Sequence, residues 1–284
     1  METCIMSDLF WLAEAQMERL RPFFPKSRGV PRVDDRRVLS GIIFINRNGL
    51  RWRDAPREYG PHKTLYTRWR RWSEMGVFAR ILIELADRGS DKGTVMIDAT
   101  YLKAHRTASS LGAKKGGVVE RSTARQGMAQ PCPERGRTKG GMNSKLHAIC
   151  DAMGRPLRMF LTAGQVSDYR GVQALSNALP PAKWLLADRG YDADWFRETL
   201  QDKKIRACIP GRKNRKKPVK YDKRRNRRRN RPFRDIALRY TAGQRCEIMF
   251  GRLKDWRRVA TRYDRCPKVF LSAIALAALV IYWL

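Results

Sequence analysis

Thr94-Val-Met-Ile-Asp-Ala-Thr100 decides how the rest of the chain is read. Before it, apolar residues recur with the 3.6-residue period of helices; from it onward they come in short runs of strand length. The run is apolar up to Asp98, where a carboxylate interrupts it. Trp184-Leu-Leu-Ala-Asp188 repeats the pattern, with Arg189-Gly190 as the turn after it. Between the two lie Leu146 to Asp151 and Leu157 to Leu161, joined by Ala152-Met-Gly-Arg-Pro156, which has turn chemistry. Helical patterns near 168–178 and 192–203 then alternate with Trp184–Asp188 and Ile205–Ile209. Three meander-like strands followed by alternating strands and helices predict an α/β fold, a mixed sheet flanked by helices.

N-terminal to this, residues 7–88 read as four helices. Ser7 and Asp8 cap a first, with Leu9, Leu12, Met17 and Leu20 facing one way; Asp34 and Asp35 open a second around Val38, Leu39, Ile42 and Ile43. Gly60-Pro61 precedes a third carrying Leu65, Trp69 and Trp72, with Arg68, Arg70 and Arg71 between the aromatics. The fourth turns Val77, Phe78, Ile81, Leu82 and Leu85 inward. Three short helices with a basic last one outline a helix-turn-helix DNA reader, and a helical cap with a solvated basic face fits the same pattern. The chain thus divides into a helical domain over 1–90 and a sheet-containing domain over 91–284.

The 284 residues carry 60 basic and 27 acidic side chains, a net charge of +33. The 43% hydrophobic fraction is enough for a packed core, so the chain as a whole is not disordered. A compact body with this excess repels itself unless a polyanion neutralises it; nucleic acid is the first candidate and a membrane surface the second. Residues 107–141 are rich in Gly, Lys, Arg and Ser without periodicity and read as a basic loop. Residues 212–234 hold 14 Lys or Arg in 23 positions against one Asp, the composition of a loop, an arm or a segment ordered by phosphates. The six cysteines, at 4, 132, 150, 208, 246 and 266, form no C-x-x-C clip and read as reduced thiols of a cytoplasmic protein. No signal-peptide pattern opens the chain. The one long apolar stretch, Val269 to Leu284, falls short of the ~20 residues a spanning helix needs and is expected to be a buried terminal helix. His62, His105 and His147 show no metal spacing.

A carboxylate ending an apolar strand is costly unless it meets a metal or a cation. Asp98 and Asp188 would point at one sheet edge if their strands are neighbours, an arrangement suited to Mg²⁺, which favours oxygen ligands. The alternative for each is an ordinary helix cap. Glu247 begins a helix expected to run to about Arg258, with Glu247, Gly251, Lys254 and Arg258 on one stripe and Met249, Leu253 and Trp256 on another. That glutamate either serves a metal while the cations hold phosphates, or sits on a solvated face with incidental ion pairs. Trp256 reads as core, with stacking on a flipped base as the alternative.

These words together resemble the DDE transposases of bacterial insertion sequences, specifically the insertion-sequence-five group. The matching stretches are Ile97-Asp-Ala-Thr100 with Lys103-Ala-His-Arg106, Gly136-Arg-Thr-Lys-Gly-Gly141, Ala187-Asp-Arg-Gly-Tyr-Asp192, and Glu247 to Tyr263, with Arg51-Trp-Arg-Asp54 and Tyr59-Gly-Pro-His62 in the N-terminal block. The resemblance covers nearly the whole chain and implies a ribonuclease-H-like core. It makes Asp98, Asp188 and Glu247 both the catalytic residues and the ligands of two Mg²⁺ ions, for which Mn²⁺ substitutes. Those ions would activate water or a 3′-hydroxyl for attack on a phosphodiester. Lys254 matches the basic position that holds a phosphate near the cut. On the third helix Arg68, Arg70 and Arg71 could enter a major groove of double-stranded DNA, and Arg137, Lys139 and the 212–234 arm would hold its backbone phosphates, with Arg257 and Arg258 as further DNA-binding residues. Two element ends held together imply a homodimer or higher assembly on DNA, in the cytoplasm at the nucleoid, with no membrane.

The chain departs from that pattern ahead of the glutamate. Where the family has a Tyr, an Arg and then the Glu at fixed spacing, Tyr240 stands in place but Gly243 lies four residues before Glu247. Aligning Arg224 to Arg231 with the basic run instead makes Pro232 to Cys246 an insertion of 15 residues. Two functions are open: a transposase that binds terminal repeats, cleaves and transfers strands, or a DNA-binding remnant whose insertion displaces Glu247. A structural RNA-binding protein fits the charge but not the strand-end carboxylates.

Overall fold

The computed structural model describes residues 9–26, 33–90, 93–108, 137–138, 141–215, 218–230 and 242–284. Its helices are α1 (Glu14–Leu20), α2 (Asp35–Asn48), α3 (His62–Glu74), α4 (Val77–Gly89), α5 (Asp168–Ser176), α6 (Asp194–Asp202), α7 (Lys223–Asn230), α8 (Ala242–Lys254), α9 (Arg257–Ala260) and α10 (Pro267–Tyr282). The strands are β1 (Thr94–Ala104), β2 (Arg137–Thr138), β3 (Gly141–Asp151), β4 (Pro156–Ala163), β5 (Trp184–Leu186), β6 (Arg206–Cys208) and β7 (Thr261–Arg262).

β1 lies at the centre. It pairs antiparallel with β3 on one side and parallel with β5 on the other; β4 adds to β3 and β6 to β5, so the sheet runs β4-β3-β1-β5-β6. An antiparallel meander followed by parallel strands reached through helices is the ribonuclease-H-like arrangement. The meander turn is held from inside: buried Asp151 accepts from the backbone N–H groups of Met153 and Arg155 at 2.9 Å each and from Arg155 Nε at 2.8 Å.

The helical segment and the sheet share one hydrophobic core, so the boundary near residue 90 is a change of structure type rather than of core. Asp34 caps α2 through both carboxylate oxygens, accepting from Arg36 N and Arg37 N. Phe24, Trp69, Trp72 and Phe78 form an aromatic cluster, with Phe24 edge-on to Trp72 at 4.5 Å. α10 lies against α2, α3, α4, α8 and β4 with Phe270, Ile274, Ala275 and Ala278 fully buried, which accounts for its all-round apolarity. Among the described residues no helix is long and apolar enough to cross a membrane.

Three expectations change. Residues 9–13 are not helical, so the first helix starts at Glu14 instead of after Asp8. The helix expected from Glu247 to Arg258 ends at Lys254, and α9 begins after Asp255 and Trp256. Part of the basic stretch 212–234 is helical: Asp222 accepts from Arg225 N at 2.8 Å ahead of α7, and the Arg225 guanidinium sits 4.3 Å from the centre of the Trp184 ring. One acidic cap and one stacked arginine give that run a packed element that its composition disguises.

On the face of β3 covered by α5, His147 is fully buried, its Nε2 bonded to Thr162 Oγ1 at 2.9 Å. Gly171 of α5 comes so close that a Cβ there would lie 2.3 Å from the imidazole. Burial pushes the His147 pKa down to about 4. The unfolded chain therefore takes up this proton first, and the associated stability is complete above pH 6.5 and lost as pH falls toward 4. Between pH 7 and 4.5, His147→Gln should lose about 2–3 kcal/mol less unfolding free energy than wild type, measured by urea denaturation. Equal losses would mean that His147 is not buried as a neutral ring. Trp72→Ala should lower the stability of the whole chain by about 3–5 kcal/mol in a single transition. Two separate thermal transitions would show two cores.

Candidate active site

Met96 pairs with Leu186 in the parallel ladder between β1 and β5. Two residues further along each strand lie Asp98 and Asp188, and the backbone at Asp188 is still extended (φ −73°, ψ 165°). Side chains alternate along strands, so the two aspartates share one side of the sheet, about one strand spacing (~5 Å between backbones) apart. Asp98 is half-buried and its Oδ1 accepts from Ala99 N at 2.8 Å. Asp188 is exposed; it stands ahead of the single turn Arg189–Tyr191, but its side chain makes no capping bond to that turn. Capping therefore does not account for it.

α8 brings the glutamate. Cys246, Met249, Phe250 and Leu253 form its buried ridge. Cys246 meets the Cys150 thiol, and Cys150 stands opposite Met96 on β1. Eight residues further along α8, Lys254 Nζ donates to Thr100 Oγ1 at 2.7 Å. Pinned at both ends, α8 runs beside β1 in the same direction, over the face that carries Asp98 and Thr100. Burial holds the Lys254 pKa below its ordinary value. Glu247 comes directly after Cys246 and is exposed, because one residue's rotation takes it off the buried ridge. Among the described residues no three His, Cys, Asp or Glu side chains stand close enough together to hold a metal ion. Asp98 is not the strand end that the apolar run suggested, since β1 continues to Ala104; the structure brings Asp98 and Asp188 onto one side of the sheet where β5 ends and Glu247 onto the helix beside it, without gathering all three carboxylates. As a donor set they are all oxygen, suited to a hard ion such as Mg²⁺ or Mn²⁺ rather than a thiolate-seeking one. Of the stretch 232–246, residues 232–241 lie outside the described residues, while Ala242–Cys246 form the first turn of α8 itself.

The basic residues separate into employed and available ones. Arg68 pairs with Asp35 at 2.8 Å, mostly buried, and lies 5.8 Å from the Trp72 ring centre. Arg258 is buried: its Nη2 donates to Leu50 O at 2.7 Å, its guanidinium lies over Trp52 at 5.3 Å, and burial holds its pKa down. Both were expected on the DNA-facing surface, and both instead tie the helical segment together or to the sheet. Their spacing on a helical stripe could not show this, since the break after Lys254 turns Arg258 inward. Arg70 is exposed and pairs with Glu74 at 2.8 Å. Arg71 and Arg257 are exposed, Arg257 with its Cβ against Gly49, which ends α2 in the left-handed region (φ +71°). Arg137 lies on β2, and Lys139 lies outside the described residues. Trp256 is buried in the core. Sequence reading missed Thr100 as the partner of Lys254; its place two residues after Asp98, on the same strand face, was the available signal.

Residues 89–283 match the family described as Transposase DDE domain, and residues 12–82 match Putative transposase of IS4/5 family. Among similar proteins, the putative transposase for insertion sequence element IS6501 of Brucella ovis is 32% identical over 141 residues, spanning 50% of this chain and 98% of that one. The putative transposase for IS402 of Burkholderia cepacia is 35% identical over 97 residues, 28% of this chain and 46% of that one. The piggyBac transposase in its synaptic complex with hairpin DNA aligns over 96% of this chain and 72% of that one, at 12% identity and a TM-score of 0.41. The Mos1 transposase in a pre-cleavage transpososome aligns over 65% and 61%, at 14% identity and a TM-score of 0.23. Scores this low add nothing to the sheet order.

Thr100→Val should destabilise the chain by about 1 kcal/mol by leaving the half-buried Lys254 ammonium without its acceptor, whereas Thr100→Ser should be near neutral. Thermal melts of the two variants measure the difference; identical melts would remove the second pin of α8.

Proposed function

The chain belongs to the Transposase DDE domain family, and on that premise we propose that it binds the terminal repeats of an insertion sequence, cuts the phosphodiester backbone at their ends and joins the freed 3′-hydroxyl to target DNA. The observation that carries this reading is the register of β1 on β5, with Asp98 and Asp188 on one side of the sheet beside the helix that bears Glu247. That the three carboxylates are not gathered is what the remnant reading expects; against it, the first turn of α8, part of the inserted stretch, belongs to the helix pinned by Cys246 and Lys254.

Asp98, Asp188 and Glu247 would hold Mg²⁺, with Mn²⁺ as substitute; once bound, such ions make water or a 3′-hydroxyl a better nucleophile at neutral pH and stabilise the attacking and leaving oxygens. The protein supplies placement. β1 and β5 fix two carboxylates at about the strand spacing, and α8 carries Glu247 beside them. Lys254, already partly desolvated, exchanges the Thr100 hydroxyl for a phosphate oxygen, a charge-assisted bond stronger than the one it gives up. Arg70, Arg71 and Arg257 on the outer surface, with Arg137 of β2 and Lys139 two residues after it in the chain, hold backbone phosphates of double-stranded DNA. The +33 charge supports a polyanionic substrate and strong salt dependence. Holding two ends at once calls for a homodimer or larger assembly on DNA, acting in the cytoplasm at the nucleoid.

Labelled DNA carrying the element's inverted repeats should be nicked at the repeat boundary with Mg²⁺ or Mn²⁺ and left intact with EDTA. Asp98→Asn and Asp188→Asn should abolish nicking while retaining DNA binding, and Lys254→Ala should slow it about tenfold or more. If Asp98→Asn cuts as wild type does, the assigned centre is wrong. Binding without cutting in either metal would leave the DNA-binding remnant.

A further inference from the structure

Beyond the cutting site, the far end of β1 carries an aromatic pair that none of the chemistry above uses. β7 pairs parallel with β1, Lys103 opposite Thr261 and Ala104 opposite Arg262, and His105 N continues the ladder by donating to Arg262 O at 2.9 Å. This sets His105 across from Tyr263. Their rings lie 4.9 Å apart between centroids and only 34° from parallel. Tyr263 remains 42% exposed, so the pair is open to solvent on one side. The pair is also held from behind: His105 Nδ1 and Thr107 Oγ1 are hydrogen-bonded at 2.9 Å, and Arg265 Nε donates to Thr107 O at 3.1 Å. Beneath it the buried Arg262 donates to Ala108 O at 3.3 Å. Lys103 and Arg106, on either side of His105, are both exposed.

We propose that His105 and Tyr263 form a stacking platform for an unpaired nucleobase, with Lys103 and Arg106 holding the phosphates that flank it. A ring fixed by strand pairing loses little freedom when a base stacks on it, and cations at the rim draw in the backbone that carries the base. Intact duplex buries its base faces, so the occupant is a single-stranded or locally opened stretch. The platform lies seven residues past Asp98, about 23 Å along the strand, so it grips DNA away from the cut. It rests on the reading that DNA is the substrate, but not on the identity of the catalytic centre.

Binding of a labelled oligothymidylate and of a duplex of equal length, in EDTA at matched salt, separates the possibilities. Tyr263→Ala should weaken oligothymidylate binding about tenfold and leave duplex binding within twofold, with the salt dependence unchanged. Tyr263→Trp should restore it, which keeps the result independent of any loss of folding in the alanine variant. Wild-type protein should bind an abasic strand of the same length about tenfold more weakly than oligothymidylate. Equal binding of abasic and base-bearing strands, or a Tyr263→Ala variant that binds oligothymidylate as wild type does, would overturn the platform. Because no cutting is read, that outcome would leave Asp98-dependent nicking standing, and absence of nicking would leave the platform standing.

Discussion

Three paired residues of β1 and β5, ending at Met96 opposite Leu186, set the spacing on which the candidate site depends. Parallel pairing runs both strands the same way, and the period of two along each then puts Asp98, midway along β1, and Asp188, just past the end of β5, on the same side. Two carboxylates on neighbouring strands repel each other, an arrangement that costs stability unless cations offset it. The fold tolerates it because the ladder is fixed elsewhere: β1 is paired along nearly its whole length with β3, and its apolar residues Val95, Met96 and Ile97 are buried.

The helix above the edge shows how the core and the candidate site are coupled. Cys246 and Lys254 fasten α8 to β3 and β1, while Trp256 and Arg258 fasten α9 to the helical segment. α10 fills the space among α2, α3, α4 and α8, so the N-terminal helices brace the same body that carries the carboxylates. Cores are close-packed and transmit displacement, so a change in the helical segment is felt at α8. This also explains why two arginines on helical stripes are structural. In a body with so many cations, half-buried acceptors such as the Leu50 carbonyl and the Asp35 carboxylate are taken by the arginines that reach them.

Much of the fold was legible because its signals are local. Asp34 announced α2, the Ala152–Pro156 turn announced the β3–β4 hairpin, and the two apolar runs ending in aspartate announced β1 and β5. That the two aspartates are neighbours comes from strand order, a non-local property that no spacing in the chain reveals. The break between α8 and α9 was hidden because apolar residues keep their helical period across Asp255 and Trp256. α7 was hidden by its charge: composition predicts solvation, whereas one cap and one arginine stacked on Trp184 give it a partner. Thr100 and the His105–Tyr263 pair escaped notice because each acts through a residue far away in sequence.

Anomalous diffraction from crystals of the chain bound to repeat-end DNA and soaked in Mn²⁺ tests the central claim most directly. A manganese peak between the carboxylates of Asp98 and Asp188, with Glu247 rotated inward as a further ligand, is the predicted result. Manganese bound elsewhere, with Asp98 and Asp188 free of it on bound DNA, would contradict the assignment.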